Sequence, residues 1–559
     1  MNLKKEIICA LPVLLVTAAF ATETLAQTNV PAANPKSAGF VAPNILSPEL
    51  IETIVAQGAM KLENPSVLTS FYGYDNDGTF IPTGTPASEA TKTEPDKNTY
   101  LVLKGLHGAD PSYDYGRHFL YQGHESGSAA AAGGPERGYI TRINLDADGP
   151  HRVTLMATED IHGTPLPDFD GSAWYPFSQH LLFTAELTGT TGGVWQGSPD
   201  YPSVVEDISG VFGLGGYEGI QADERGNLII LEDIGGSNGS AAAGLTHARQ
   251  PNSFVYRFIA YNPSDLKLGG KLQVLQVISL SNPGQPIVFH AGSTDADILS
   301  QDVKDLHTFG KTFQTKWITI HDTAVNGFSS FNANALAKTM QGTPFKRPEN
   351  GQFRPRSGFS EFFFDETGDT NSLTEAGSAY GGFGAIFKLR TDRGNSGSVS
   401  LFYLGDVHHT GFDNTSFWTE DKIVFVEDAG DTLHTQRNAL DSAFLFDLHT
   451  DYSNPQNQPV RILAQGRDAS ATMDSLFGFA FNDGDNEITG WHESDGNPTV
   501  NGLIGTKAPK PFKGAWRVFY TQQHGDNITF EILPRDPDDF DGDEFHHSGG
   551  SNREDRDER

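Results

Sequence analysis

Residues 227–233 read NLIILED, a short apolar run that ends on two acids, and the same form recurs along the chain. FLYQGHE (119–125), HLLFTAE (180–186), KWITIHD (316–322), SLFYLGD (400–406), KIVFVED (422–428) and WRVFYTQQH (516–524) end at Glu125, Glu186, Asp322, Asp406, Asp428 and His524. Several are followed by a second alternating run, as in GYITRINLDAD (138–148), SFVYRFIAY (253–261), GAIFKLRTD (384–392), SAFLFDLHTD (442–451) and NITFEIL (527–533). Short runs bounded by turn residues read as strands. Their repetition across residues 65–534 predicts one all-β domain, a six-bladed β-propeller with long inter-blade loops. Equivalent innermost strands run in one direction around the channel of such a fold. Acids at their ends are therefore expected to form a ring at one mouth.

Outside the repeat, Ser47-Pro48-Glu49 has the signature of a helix start, and Leu50, Ile51, Ile54 and Val55 follow at helical spacing. This predicts a short helix within an N-terminal extension, residues 27–64. A further helix is expected near residues 331–340. Lys4 and Lys5, the apolar run 7–20 and small residues near Ala21 and Ala26 fit a secretory signal peptide, residues 1–26. The expected location is periplasmic or extracellular, with no membrane association after cleavage. Residues 535–559 are charged and aperiodic, and are expected to be a disordered acidic tail.

The chain carries 71 acidic and 39 basic residues, a formal net charge of −32. That balance argues against nucleic acid and anionic membrane surfaces as partners. It is consistent with solubility or with carboxylates that converge on hard cations such as Ca²⁺. The single cysteine, Cys9, lies in the leader, so neither an internal disulfide nor a cysteine-rich zinc site is available. No P-loop or HExxH motif is present, and the GLGGYEG glycines near residue 215 have the wrong spacing for a dinucleotide fingerprint. The chemistry must come from scattered acids.

Several of those acids sit in motifs of recognisable order: FLYQGHES (119–126), HLLFTAELTG (180–189), GYEGIQADERGNLIILEDIGG (216–236), TPFKRPENGQF (343–353), GFDNTSFWTEDKIVFVEDAGD (411–431), and NEITGWHESDG (486–496) followed by WRVFYTQQHGDN (516–527). Together these resemble the PhoX-type alkaline phosphatases, a family of secreted bacterial β-propellers, from about residue 95 to residue 533. The resemblance implies a six-bladed propeller that hydrolyses phosphate monoesters at a central cluster of Ca²⁺ and Fe³⁺, acting on a small phosphorylated substrate. Carried over residue by residue, it implies Glu125, Glu186, Glu218, Asp233, Glu349, Asp413, Asn414, Asp428 and Glu487 as metal ligands. It also implies Arg347, in the Arg-Pro-Glu motif, as a phosphate clamp. His124, His321 and His524 are weaker candidates, and Glu427, Asp428 and Asp431 are a candidate extra cation site.

One departure bears on the metals. Ala185 stands between Thr184 and Glu186, where the family has a cysteine ligand for iron. A methyl group cannot ligate a metal, whereas the carboxylates suit Ca²⁺. Either carboxylates alone hold the metals, or the centre takes only calcium, or phosphatase activity has been lost. A calcium-dependent lactonase-like hydrolase and a non-catalytic calcium-stabilised binding propeller are the alternatives.

Overall fold

A computed structural model describes residues 27–66, 69–73, 93–125, 138–185, 192–392, 394–466, 487–523 and 527–536. The expected leader, all but the first two residues of the acidic tail, Glu186 and His524 lie outside the described residues.

The chain is mostly β. After a 3-10 stretch at Lys36–Val41 come β1 (Ile45–Leu46) and β2 (Leu50–Ala56). The helix predicted from Ser47 does not form. Ile51, Thr53 and Val55 are β-branched, and β2 pairs antiparallel with the last strand of the chain, so non-local pairing overrides local helical spacing. The helix expected near 331–340 is present at Ala333–Thr339, capped by the Asn332 side chain.

The first sheet holds β3 (Glu94–Pro95), β4 (Thr99–Val102), β5 (His118–Glu125), β6 (Tyr139–Asn144) and β7 (Val153–Ala157), with β3 and β4 both pairing β5. The second holds β8 (Ser172–Tyr175), β9 (His180–Ala185), β10 (Gly193–Gly197) and β11 (Val205–Asp207) in sequence order. The third has nine strands: β12 (Tyr217–Ala222), β13 (Leu228–Glu232), β14 (Val255–Ala260), β15 (Gly270–Val277), β16 (Thr312–Asp322), β17 (Gly351–Phe353), β18 (Glu361–Glu366), β19 (Ala385–Thr391) and β20 (Ser396–Leu404). They run β12-β13-β14-β15-β16-β20-β19-β18-β17, and the two edge strands β12 and β17 pack against each other, so this sheet curves back on itself. The fourth has β21 (Phe412–Phe417), β22 (Lys422–Glu427), β23 (Ser442–Asp447) and β24 (Val460–Ala464), with β1 added at its outer edge. The fifth has β25 (Glu487–Ser494), β26 (Arg517–Gln523) and β27 (Ile528–Pro534), with β2 added likewise. The arrangement is propeller-like, and the N-terminal strands fasten the last two sheets.

Apolar residues lie on both faces of most strands, because each sheet is packed between neighbours. β22 and β23 illustrate this: Ile423, Phe425, Phe444 and Phe446 face β18–β20, whereas Val424, Val426, Ala443 and Leu445 face the β25–β27 sheet. Each such buried Val, Leu, Ile or Phe side chain contributes about 1.5–3 kcal/mol. At the centre, β4 lies against β8, β8 against β12, β12 against β17, β17 against β21, β21 against β25, and β25 against β4. A cavity of about 80 Å³ is lined from all six of these strands, by Thr99, Ser172, Gln221, Gln352, Thr415 and His492 among others.

The runs ending in an acid or, for β26, a histidine are not the innermost strands. β5, β9, β13, β22 and β26 are second in their sheets, each antiparallel to an inner partner. Two further runs, ending at Asp322 and Asp406, correspond to β16 and β20 in the middle of the nine-stranded sheet, far in pairing order from β12 and β17. The second strand that completes the series is β18, EFFFDE, which ends at Glu366.

Candidate metal centre

Because paired strands run antiparallel, the end of a second strand lies beside the start of its inner partner. Glu94 pairs with Glu125, Tyr217 with Glu232, Phe412 with Glu427 and Glu487 with Gln523. Both sets of residues therefore reach the same mouth of the channel. Each inner strand also opens at or just after an acid: Asp96 before β4, Asp170 before β8, Glu218 in β12, Glu349 before β17, Asp413 in β21 and Glu487 in β25.

Glu218, Asp233 and Glu349 form the first group. All three are buried, and one carboxylate oxygen from each lies within 4.8 Å of the others. Their close approach depends on Gly219, whose N–H donates to the Glu349 carbonyl oxygen at 2.8 Å. A Cβ at residue 219 would stand 2.5 Å from that oxygen, so a larger residue would push the β12 and β17 segments apart. Arg347 closes the group. Its Nε donates to Asp233 Oδ1 at 2.9 Å, its Nη2 to Asp233 Oδ2 at 2.7 Å, and its Nη2 lies 3.0 Å from Glu349 Oε1. The backbone of Arg347 is left-handed, with φ 57°. This conformation is costly for a non-glycine residue and unusual before a proline. It separates Lys346, which enters the core to pair with Asp369 at 2.9 Å, from Arg347, which turns to the acids.

A second group consists of Asp96, Glu125 and Asp170, again with one oxygen each within 4.8 Å of the others. Gln523 Nε2 donates to Glu125 Oε1 at 3.0 Å, and Thr489 Oγ1 donates to Asp96 Oδ1. Asn350 and Lys97 lie between the groups. The Asn350 amide donates to Glu218 Oε1 at 2.5 Å and to Asp413 Oδ1 at 3.2 Å, while its carbonyl oxygen accepts from Lys97 Nζ at 2.6 Å. Asn414 Nδ2 donates to both oxygens of Asp413, at 2.7 and 2.9 Å, and to Thr489 Oγ1 at 3.0 Å. Its Oδ1 is buried with no partner among the described residues.

The electrostatics follow from crowding like charges out of water. Burial, reinforced by Asp170, Glu349, Asp413 and Asp233, holds the Glu218 carboxyl well above the usual range. Burial also raises Glu349; Arg347 opposes the shift, and Asp233, Asp413 and Asp428 add to it. Asp413 is pushed up to about 6 by burial and Asp96. Glu487 is raised by burial and by Asp428, Asp413 and Asp96. Burial pulls Lys97 down despite the acids around it. For Arg347 burial acts downward too, but Asp233 and Glu349 outweigh it and keep the guanidinium charged. The centre thus holds more carboxylates than cations to neutralise them.

The structure brings Glu218, Asp233 and Glu349 together, sets Arg347 on two of them, joins Asp413 and Asn414 through Asn350, and places Glu125 in the second group. Asp428 and Glu487 belong to the same electrostatic cluster. His124 is instead a core residue between Thr93 Oγ1 (3.1 Å) and Thr141 Oγ1 (2.8 Å), kept neutral by burial. His321 stacks on Phe331. Glu427 is paired with Arg437 at 3.2 Å, so it is not open for an extra cation site; nothing is described of the Asp431 side chain. Sequence reasoning missed Asp96, Asp170, Lys97, Asn350 and Asp365, whose Oδ1 accepts from the N–H groups of Glu349 and Asn350. A signal existed: an acid followed by Gly or Asn at the start of a short strand, as in Asp170-Gly171, Glu218-Gly219, Glu349-Asn350 and Asp413-Asn414.

No family model and no curated protein matches the chain. Among solved structures, it is similar to Sqt1 of Chaetomium thermophilum bound to the N-terminus of the ribosomal protein L10, at 9% identity and a TM-score of 0.31, covering 78% of this chain and 97% of that one. A further structure of the same Sqt1 is similar at 11% identity and a TM-score of 0.29, covering 79% of this chain and 95% of that one.

Proposed function

We propose that the chain is a six-bladed propeller whose channel mouth binds hard divalent cations, Ca²⁺ foremost, and hydrolyses phosphate monoesters there. In this reading the nine-stranded sheet is two blades, β12–β15 and β17–β20, bridged by the long strand β16. The closed ring of contacts among β4, β8, β12, β17, β21 and β25 supports that count. The observation that carries the functional reading is the buried triad Glu218, Asp233 and Glu349 gripped by Arg347.

The donor chemistry fits calcium. Every candidate ligand offers oxygen, and Asn414 Oδ1 is a buried acceptor with no partner among the described residues. The fit to the iron centre that the resemblance implies is poor at one position: Ala185, buried at the end of β9, supplies no donor. A bound cation would invert the negative field, polarise a phosphoryl oxygen and lower the pKa of a bound water. In this reading Glu218, Asp233 and Glu349 hold the cation, Asn414 offers a carbonyl oxygen at the same mouth, and Asp413 is held by Asn350 and Asn414. Arg347 fixes the positions of Asp233 and Glu349 and adds positive charge for the phosphoryl group. The ligand is a small phosphorylated molecule, and the leader implies action outside the cytoplasm.

Metal analysis of the purified protein, with hydrolysis of phosphomonoesters, phosphodiesters and lactones measured before and after chelation, tests the reading. Bound Ca²⁺ and chelator-sensitive phosphomonoester hydrolysis are expected. Protein free of metal that gains none on titration would defeat the carboxylate-ring idea. Ala185 favours one other reading specifically, a calcium-stabilised propeller that binds without catalysis; bound Ca²⁺ with no hydrolysis of any ester would identify it. Chelator-sensitive cleavage of lactones alone would identify a lactonase-like enzyme.

A further inference from the structure

Arg249 stands beside the first acid group. Burial, with the like charge of Arg347, lowers the pKa of its guanidinium, and the negative charges of Asp233 and Asp369 oppose the shift. Its Nη1 lies 2.7 Å from where a Cβ on Gly235 would be, two residues beyond Asp233. The side chain therefore occupies room that exists because residue 235 has none. It is half-buried, and no hydrogen bond or ion pair of its guanidinium is present among the described residues. The acids nearest to it are committed elsewhere. Asp233 accepts from Arg347 at 2.7–3.0 Å. Asp369 accepts from Lys346 Nζ at 2.9 and 3.1 Å and from Thr374 Oγ1 at 2.6 Å, and meets Arg249 only through the backbone N–H, at 3.0 Å.

The Arg249 guanidinium, half withdrawn from water beside the like charge of Arg347 and with no hydrogen bond to the carboxylates among the described residues, keeps donors open to a further anion. Arg347 is occupied by Asp233 and Glu349, so its fork is only partly available. We propose that Arg249 is the oxyanion-binding residue at the rim of the centre, taking phosphoryl oxygens of a phosphomonoester or of free phosphate while the carboxylates hold the cation. This rests on the phosphomonoester reading above. Guanidinium suits the task because it presents planar, paired donors to phosphate oxygens and stays charged.

The test titrates inorganic phosphate into the calcium-loaded full-length protein by calorimetry and, in parallel, measures KM and kcat for p-nitrophenyl phosphate. Arg249→Ala is expected to weaken phosphate binding by about tenfold or more, as loss of a charge-assisted hydrogen bond requires, and to raise KM, with calcium content and melting temperature unchanged. Arg249→Lys should recover part of the affinity. Gly235→Ala, which displaces the guanidinium without removing it, should weaken phosphate binding in the same direction. An effect on phosphate but not on p-nitrophenyl phosphate would assign the residue to free phosphate, and the reverse to the ester. A folded Arg249→Ala, or an Arg249→Lys and Gly235→Ala pair, that binds both anions as tightly as the unaltered protein overturns the proposal. If the unaltered, calcium-loaded protein binds neither anion, the phosphomonoester reading falls and takes this proposal with it.

Discussion

NLIILED and KWITIHD have one pattern and two fates. The first ends β13 next to the inner strand β12, and Asp233 is buried against Arg347 beside Glu218 and Glu349. The second ends β16, five strands into the same sheet. Asp322 there caps a short helix through the Ala324 N–H, accepts from Tyr261 and lies 3.5 Å from a half-exposed Lys271. The chemistry of an aspartate at a strand end is set by the rank of its strand, because among the described residues the acids at the channel come from the inner strands and their immediate partners, which in the nine-stranded sheet lie at both ends. In the channel a carboxylate loses water and gains like-charged neighbours. At Asp322 it stays partly exposed and meets a lysine and a helix N-terminus instead of like charges.

The largest expected contrast is in stability. Arg347→Ala leaves Asp233 and Glu349 buried without their cationic partner and should cost about 3–5 kcal/mol in metal-free protein. Lys271→Ala at the outer site should cost about 0–1 kcal/mol. Urea unfolding of both variants checks this, and equal losses would erase the distinction between the two sites. Next is metal affinity: Glu349→Gln should weaken Ca²⁺ binding by about tenfold or more, while Asp322→Asn leaves it unchanged, as read by calcium titration.

A pH series sharpens the comparison further. Asp413 rises in the folded protein to about 6 from an ordinary 3.8. The native state therefore holds more protons than the unfolded chain between those values, and stability should fall as pH rises through the window from about 4 to 6. Glu218, Glu349 and Glu487 act in the same direction. Metal-free protein should melt at a lower temperature at pH 7 than at pH 5. Excess Ca²⁺ should remove that loss, since the cation takes the protons' place. A melting temperature independent of pH would show that the carboxylates do not crowd one another. The smallest effect is Asp322→Asn itself: Asn caps a helix about as well as Asp, so stability should change by no more than about 0.5 kcal/mol.

Much of this was legible in the chain. The resemblance points to Glu218, Asp233, Glu349 and Arg347, and the structure sets them within reach of one another. Asp96, Asp170 and Lys97 were passed over because their segments, PDKN and FDGS, precede strands of only four residues and carry no apolar run of their own. The spacing within Leu50–Ala56 suits a helix, whereas its pairing partner lies at the far end of the chain and makes it a strand.

The sequence by itself determined that the chain forms many short strands with acids at recurrent ends, because alternation and turn residues are local properties. It also excluded a cysteine ligand at position 185. Only the tertiary structure decided which acids face the channel, which two groups they form and which cations sit among them. Those depend on strand rank and on pairing across hundreds of residues, and on burial that no stretch of sequence can impose on its own.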